Sequence, residues 1–403
     1  MKRMTPVAVS DYTLVSALGH GRAATLDALR ASRSGLVRRG FETAQLDTWL
    51  GVVDGAEQVR FPAELAGFDC RNNQLAELAL RADDFAAGVR RAAQRFGAAR
   101  VGVFLGTSTS GILATEIAYR HRDPASGALP ASLDYARTHN TYSVARYVRE
   151  ALGLLGPAHV VSTACSSSAK VFATAARMID AGLVDAAVVG GVDSLCMTTL
   201  YGFNALELVS PDICRPWDAE RAGLSLGEAA AFALLERDAA RPAAWLLGAG
   251  ESSDGHHMSS PHPEGAGAAD AMRGALAAAG LAPGDVDYLN LHGTGTPGND
   301  AAEDRAVCTV FGGTLPCSST KGYTGHTLGA AGGVEAAIVM LALQHGFVPA
   351  GLNLRRPDPA LHAHIVRETA ARPLAVAASN SFGFGGSNAC LIFGAAAAVE
   401  AAA

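Results

Sequence analysis

Cys165 stands in the run Thr163-Ala164-Cys165-Ser166-Ser167-Ser168. Before it lies a short β-branched stretch, His159-Val160-Val161; after it, a helical pattern puts Ala169, Phe172, Ala176 and Ile179 on one face and stops at Gly182. A cysteine at such a strand-to-helix elbow meets unpaired N–H groups and the positive end of the helix dipole. Both favour the thiolate, which is the nucleophilic form. A lone buried cysteine is more often a small hydrophobe, so the residues downstream decide. His292 directly follows a strand, in Leu291-His292-Gly293-Thr294-Gly295-Thr296-Pro297. Lys321 and His326 share the stretch 318–332, and His326 lies just before a helix, whose positive end keeps an imidazole neutral. A glycine turn, Asn380-Ser381-Phe382-Gly383-Phe384-Gly385-Gly386-Ser387-Asn388, sits between two strands. The order around Lys321 is not that of a P-loop, and the glycine turn lacks the dinucleotide-binding order and its strand-helix setting. A turn whose amides face the nucleophile is the better reading.

The elements that must carry these residues read as an α/β chain. A strand and a turn are predicted over 5–18, strands at 101–105, 186–191 and 228–235, and helices at 21–31 and 74–96, with irregular backbone at 35–70 and from 192 to about 225. A second series follows: strands at 245–250, 286–291, 315–318, 374–379 and 389–393, with helices at 266–279 and 329–345. The order repeats, so two similar halves are expected, residues 1–240 with the nucleophile and 241–403 with the histidines and the lysine. Residues 119–140, with Pro124 and Pro130, read as a surface excursion, and the Ala-rich tail 395–403 as frayed.

Composition limits the function classes. The chain has 403 residues, 49% hydrophobic and 17% charged, enough for a large core. A net charge of −6 gives no electrostatic footprint for nucleic acid. The seven cysteines are scattered without a C-x-x-C pair, which fits reduced thiols in a cytoplasmic protein and predicts no metal site. Pro6 and Asp11 break up the apolar start, so no signal peptide is expected. The apolar run 334–343 contains Glu335 and is too short to span a bilayer, so no membrane insertion is expected.

Taken together, the Cys165 elbow, the His292-Gly-Thr-Gly-Thr-Pro loop, the stretch 321–332 and the turn 380–388 resemble the β-ketoacyl-acyl-carrier-protein synthases, the elongating Cys-His-His condensing enzymes of fatty-acid and polyketide assembly. The match also takes in residues 101–111, Arg215-Pro216-Trp217-Asp218 and Gly227-Glu228. The resemblance implies the thiolase fold, two similar βαβαβαββ halves in five layers, α-β-α-β-α. It implies a decarboxylative condensation in which Cys165 holds the acyl group and His292 and His326 donate to the enolate oxygen of a malonyl thioester. The backbone amides of Cys165 and Phe384 would form the oxyanion hole, with Gly383 and Gly385 shaping the gate. Lys321 would pair with Glu303, and Thr294 and Thr296 would hold the phosphopantetheine arm, with Phe382 and Leu224 near the substrate. No cofactor is implied. The partners implied are an acyl carrier protein and a second subunit, in a homodimer or in a heterodimer with a related chain.

Two departures bear on the substrate. The segment 208–215 is shorter than in housekeeping synthases, and Leu224 stands where a Phe is usual, which leans towards a specialised pathway such as aryl-polyene or related polyketide synthesis. An acidic carrier would need a local basic patch, for which Arg71, Arg120 and Arg122 are candidates. A non-catalytic chain-length factor would have lost the nucleophile, and a papain-like hydrolase would need a different cysteine signature.

Overall fold

The computed structural model describes residues 3–396. Its strands, in chain order, are β1 Val7–Ser16, β2 Val101–Gly106, β3 Ala158–Val161, β4 Ala186–Asp193 and β5 Ala229–Glu236, then β6 Ala244–Ser253, β7 Tyr288–Asn290, β8 Cys317–Ser318, β9 Val376–Gly383 and β10 Ser387–Ala395. The main helices are α1 Gly21–Arg30, α2 Arg71–Arg81, α3 Phe85–Phe96, α4 Ile112–Arg120, α5 Ser143–Ala151, α6 Ser167–Asp180, α7 Met197–Ala205, α8 Ala266–Ala279, α9 Pro297–Phe311 and α10 Ala331–His345.

The first five strands lie in the spatial order β3-β2-β4-β5-β1 and the second five in the order β8-β7-β9-β10-β6. Each set has the same pattern: its second, third and fourth strands run parallel, its fifth is antiparallel to the fourth, and its first is antiparallel to the fifth. An antiparallel contact of β1 with β6 (Val7 opposite Leu246, Val9 opposite Ala244) joins the sets. The repeat expected from element order is therefore present in the pairing itself.

Helices α6 and α10 pack on each other and touch strands of both sets, α6 reaching β2, β4, β6 and β10, and α10 reaching β4, β5, β9 and β10. Helices α2, α3 and α5 cover the far side of the first set through a core of their own, and α8 covers β6 and β10, with α9 packed on α8. This is the five-layered thiolase arrangement that the resemblance implies. Its middle layer explains why β2, β4, β5 and β9 are buried along their whole length and read as continuous apolar runs. It also explains α10, which is buried on every side from Ala331 to Leu343. The stretch Leu328–His345 is apolar and long enough to cross a membrane, but 89% of it is buried inside this fold, as core. Close approach needs small residues here: a Cβ on Gly332 of α10 would lie 2.7 Å from the Ala169 Cβ of α6, and one on Gly106 2.3 Å from the Ser168 nitrogen.

Three expectations are corrected. The single helix at 74–96 is two, α2 and α3, broken where Asp83 and Asp84 take positive φ (55° and 56°). The break turns the Asp83 carboxylate onto the Arg22 N–H at the start of α1 and the Thr13 hydroxyl. The irregular segment after 192 contains α7, whose first amides, Met197 and Thr198, donate to the Glu116 carboxylate of α4 (2.9 and 2.7 Å), a cap from a distant element. Between β7 and β8 runs α9, fifteen residues with Pro297 at its first position and Gly312 after its end, a signal the sequence did carry. The expected frayed tail falls mostly on residues 397–403, outside the described residues.

Candidate active site

Cys165 lies between β3 and α6, on the expected elbow, and is 5% exposed. The residue before it, Ala164, has φ 51°, a strained setting for a side chain with a Cβ. The serines of the motif hold that strain: Ser167 donates its hydroxyl (2.5 Å) and its N–H (3.1 Å) to the Ala164 carbonyl, and the Thr163 N–H donates to Ser167 Oγ (2.9 Å).

His326 comes from the other half and meets the thiol, with Nε2 3.0 Å from Cys165 Sγ. Its backbone is clamped by residues 225–227: His326 N–H donates to the Ser225 carbonyl (2.7 Å) and its own carbonyl accepts the Gly227 N–H (3.0 Å). Nδ1 accepts the Leu328 N–H (3.3 Å), which leaves the proton on Nε2, facing sulfur. His292 stands almost perpendicular to His326, ring centres 5.3 Å apart, with Phe382 against its other side at 5.7 Å. The Lys321 ammonium lies 3.3 Å from His292 Nδ1 and also donates to the His292 carbonyl, so here too Nε2 carries the proton. Burial drives both imidazoles well below their usual pKa, and the Lys321 charge pushes the same way, so both are neutral N–H donors.

The expected Lys321–Glu303 pair does not form. Lys321 pairs instead with Glu335 of α10, both side chains at most 3% exposed. Glu303, on α9, uses its carboxylate to accept the backbone N–H groups of His292 (2.8 Å) and Gly293 (2.7 Å) and the Asn380 amide (3.1 Å). It therefore orients the histidine loop by its main chain, and Glu335 does what was expected of it. Glu335 was visible as the charge in an otherwise apolar helix.

The expected thiolate is also corrected. Burial pushes the Cys165 thiol up to about 12, and the Lys321 charge and the Phe384 N–H, which both pull it down, do not offset that. At rest Cys165 is a thiol. The Phe384 amide facing it comes from the turn after β9, where Gly385 takes φ 82° and a Cβ on Gly383 would lie 2.5 Å from the Thr163 carbonyl.

A cavity of about 390 Å³ opens on this centre. Cys165, His292 and His326 lie on its wall, along with Thr294, Thr296, Phe382, Gly383, Phe384, Gly385 and Leu224. The Thr294 and Thr296 hydroxyls are hydrogen-bonded to each other (2.9 Å). Phe203 of α7 lies tilted against Phe384 with ring centres 5.4 Å apart and, with Leu208 and Leu224, makes an apolar end. Leu208 and Ser210 are tied to Leu224 by backbone hydrogen bonds, so the short segment is fixed against the wall. Arg71 is not a surface residue. It forms a fork to the fully buried Glu228 carboxylate, and the cation on the cavity wall is Arg305 instead. Arg120 lies 3.8 Å from Glu42, and Arg122 is exposed.

Residues 4–240 match the family model described as the N-terminal domain of β-ketoacyl synthase, and residues 243–355 match its C-terminal domain. The chain belongs to the β-ketoacyl synthase family. This β-ketoacyl synthase is 33% identical over 418 residues to 3-oxoacyl-(acyl-carrier-protein) synthase 2 of Vibrio cholerae, across 96% of this chain and 98% of that one. To the mitochondrial 3-oxoacyl-(acyl-carrier-protein) synthase of Arabidopsis thaliana it is 42% identical over 262 residues, which span 60% of this chain and 57% of that protein. Among solved structures it is similar to the ketosynthase ApeO of Xenorhabdus doucetiae in complex with its chain length factor ApeC, at 37% identity, with a TM-score of 0.88 and cover of 97% and 98%.

Proposed function

We propose that this β-ketoacyl synthase joins an acyl group held on Cys165 to the two-carbon unit of malonyl-acyl-carrier protein, releasing carbon dioxide and β-ketoacyl-acyl-carrier protein. The observation that carries it is the arrangement of one thiol and two neutral imidazoles. Cys165 Sγ touches His326 Nε2 at 3.0 Å, and His292 stands across from His326 with its own Nε2–H pointing away from Lys321.

In the first half-reaction Cys165 sulfur bonds to the acyl carbonyl carbon. The carrier's thiolate leaves and takes up the proton that Cys165 gives up. The oxyanion formed on the way is held by the amides of Cys165 and Phe384. In the second, the malonyl carboxylate leaves as carbon dioxide and its electron pair becomes an enolate, whose oxygen accepts the Nε2–H groups of His292 and His326. The enolate carbon then attacks the acyl-Cys165 carbonyl and expels the Cys165 thiolate, which takes up a proton from water to return to the resting thiol. Neutral imidazoles suit this role because they donate to the enolate without protonating its carbon. Lys321 fixes the His292 tautomer, Glu303 fixes its loop, and Glu335 holds Lys321. Thr294 and Thr296 line the way in for the phosphopantetheine arm, and Leu224, Leu208, Phe203 and Phe384 face the acyl chain.

We read residues 1–240 and 241–403 as the two halves and place the enzyme in the cytoplasm. The chain acts as a dimer. Its likeness to a ketosynthase solved with a chain length factor favours a related subunit as partner, with a second copy of itself as the alternative. Incubation with acyl-carrier protein should add one acyl group by intact mass, absent in Cys165→Ala. Light scattering of the chain alone separates the two kinds of dimer. Acylation that persists in Cys165→Ala overturns the reading.

A further inference from the structure

Asp193 ends β4, is fully buried and is not on the cavity wall. Its carboxylate accepts hydrogen bonds from both halves of the fold. From the loop after β2 come the Thr107 hydroxyl (2.6 Å), the Ser108 N–H (2.8 Å), the Thr109 N–H (2.8 Å) and the Thr109 hydroxyl (2.9 Å). From the second half comes the Gly329 N–H (2.5 Å), in the turn between His326 and α10. Burial raises this carboxyl above its usual range, and the hydrogen bonds from Thr107, Thr109 and Ser108 pull the other way, towards the carboxylate.

Each tie ends beside a strained residue. Ser108, fixed by its own N–H, donates its hydroxyl to the carbonyl of Ala164 (3.2 Å), the residue of φ 51° before Cys165. Gly329 follows Leu328, whose φ is 54° and whose N–H sets the His326 tautomer. Such backbone settings are costly and persist only where the surroundings over-determine them. The packing is close as well: a Cβ on Gly329 would lie 2.6 Å from Ser108 Oγ and 2.8 Å from Asp193 Oδ2.

We infer that Asp193 is the positioning residue that sets Cys165 against His326, by tying the loop under the nucleophile elbow to the turn that carries the histidine. It touches neither substrate nor sulfur and acts through Ser108–Ala164 on one side and Gly329–Leu328 on the other. The inference rests on the reading of Cys165 and His326 as the reacting pair.

The test uses Asp193→Asn, Ser108→Ala and the double variant in the whole protein. Misplacing a reacting group by about 1 Å costs about 100-fold in rate. Asp193→Asn should therefore lower kcat for condensation about 100-fold and leave KM for the carrier within about twofold, since the cavity wall is untouched. Ser108→Ala should lose less, and the double variant should be no slower than Asp193→Asn, because both cut one tie. A second readout is iodoacetamide alkylation of Cys165 against pH, followed by intact mass. The charges acting on that thiol are Lys321, Asp193 and Glu335, with His326 neutral beside it. Removing the Asp193 charge should move the profile to lower pH, whereas loss of a merely structural contact elsewhere would leave it in place. A folded Asp193→Asn with wild-type kcat, with a raised KM alone, or with losses that multiply in the double variant overturns the inference. If Asp193→Asn does not fold, Ser108→Ala decides, and unchanged kcat there overturns it. Persistent acylation of Cys165→Ala would instead refute the assignment of the nucleophile, a separate result.

Discussion

Lys321 and Glu335 offer a way to separate what the site needs for folding from what it needs for chemistry. The two side chains are 1% and 3% exposed and pair across the fold, and Lys321 also reaches Nδ1 and the carbonyl of His292. Removing one member of a buried pair leaves an uncompensated charge and costs about 3–5 kcal/mol, whereas replacing both with apolar side chains of similar size is often close to neutral. Lys321→Met should therefore destabilise strongly, Glu335→Leu likewise, and the double variant should recover most of the loss. Activity should not recover. Without the ammonium, His292 is free to move its proton to Nδ1, and one donor to the enolate is lost, worth about 100- to 1,000-fold in rate. The sign of the pH effect follows from the same charges. Burial already raises Glu335, and Lys321 opposes that rise. With Lys321 gone the folded-state value climbs further above the unfolded one. The unfolded state then ionises more readily, so the deficit in Lys321→Met should grow as pH rises from 6 to 8. Urea midpoints at the two pH values and malonyl-carrier decarboxylation on the same samples make the assay. A double variant that regains both stability and decarboxylation would show that Lys321 serves the fold alone.

Further outcomes follow from the same geometry. His326→Ala should still take up an acyl group on Cys165 yet release carbon dioxide about 100- to 1,000-fold more slowly, and Cys165→Ala should show the reverse; equal loss of both half-reactions in folded protein contradicts the division of roles. Because the Cys165 thiol is raised to about 12, its alkylation should quicken about tenfold per pH unit from 7 to 9, and a plateau near pH 7 would show a thiolate at rest. Leu224→Phe should narrow the apolar end of the cavity and lower kcat/KM for long acyl groups about tenfold or more relative to short ones, read from competing acyl-carrier proteins by mass.

The sequence displayed most strongly what is encoded locally. Strands β2, β4 and β5 could be read because burial on both faces requires continuous apolar runs, and the elbow at Cys165 because a strand and a helix pattern meet there. What it hid depends on partners far along the chain. Arg71 reads as a surface cation until Glu228, 157 residues away, takes it inside. Helix α7 lacks a cap of its own and uses Glu116, 81 residues earlier. The partner of Lys321 is not legible in the sequence, because Glu303 and Glu335 both lie within reach and only the packing of α10 chooses between them. The state of the thiol is hidden for a related reason: the elbow's dipole is visible in the sequence, but the depth of burial that opposes it is not.

The repeat in the fold accounts for where the site lies. In each half the second, third and fourth strands run parallel, so their carboxyl ends emerge on one side, the usual place for a site in such sheets. In the first half those ends give the Thr107–Thr109 loop after β2, Cys165 after β3 and Asp193 at the end of β4. In the second they give His292 after β7, Lys321 and His326 after β8, and Phe384 after β9. The helices that follow the third strands, α6 and α10, are packed against each other in the middle layer. That contact brings two equivalent turns face to face, one carrying the Cys165 thiol and the other the neutral His326 imidazole, 3.0 Å apart. Neither half alone holds both groups, so the contact between α6 and α10 sets the reacting distance. Substitutions in that contact, such as a side chain at Gly332, should act on the rate of condensation before they act on binding of the carrier.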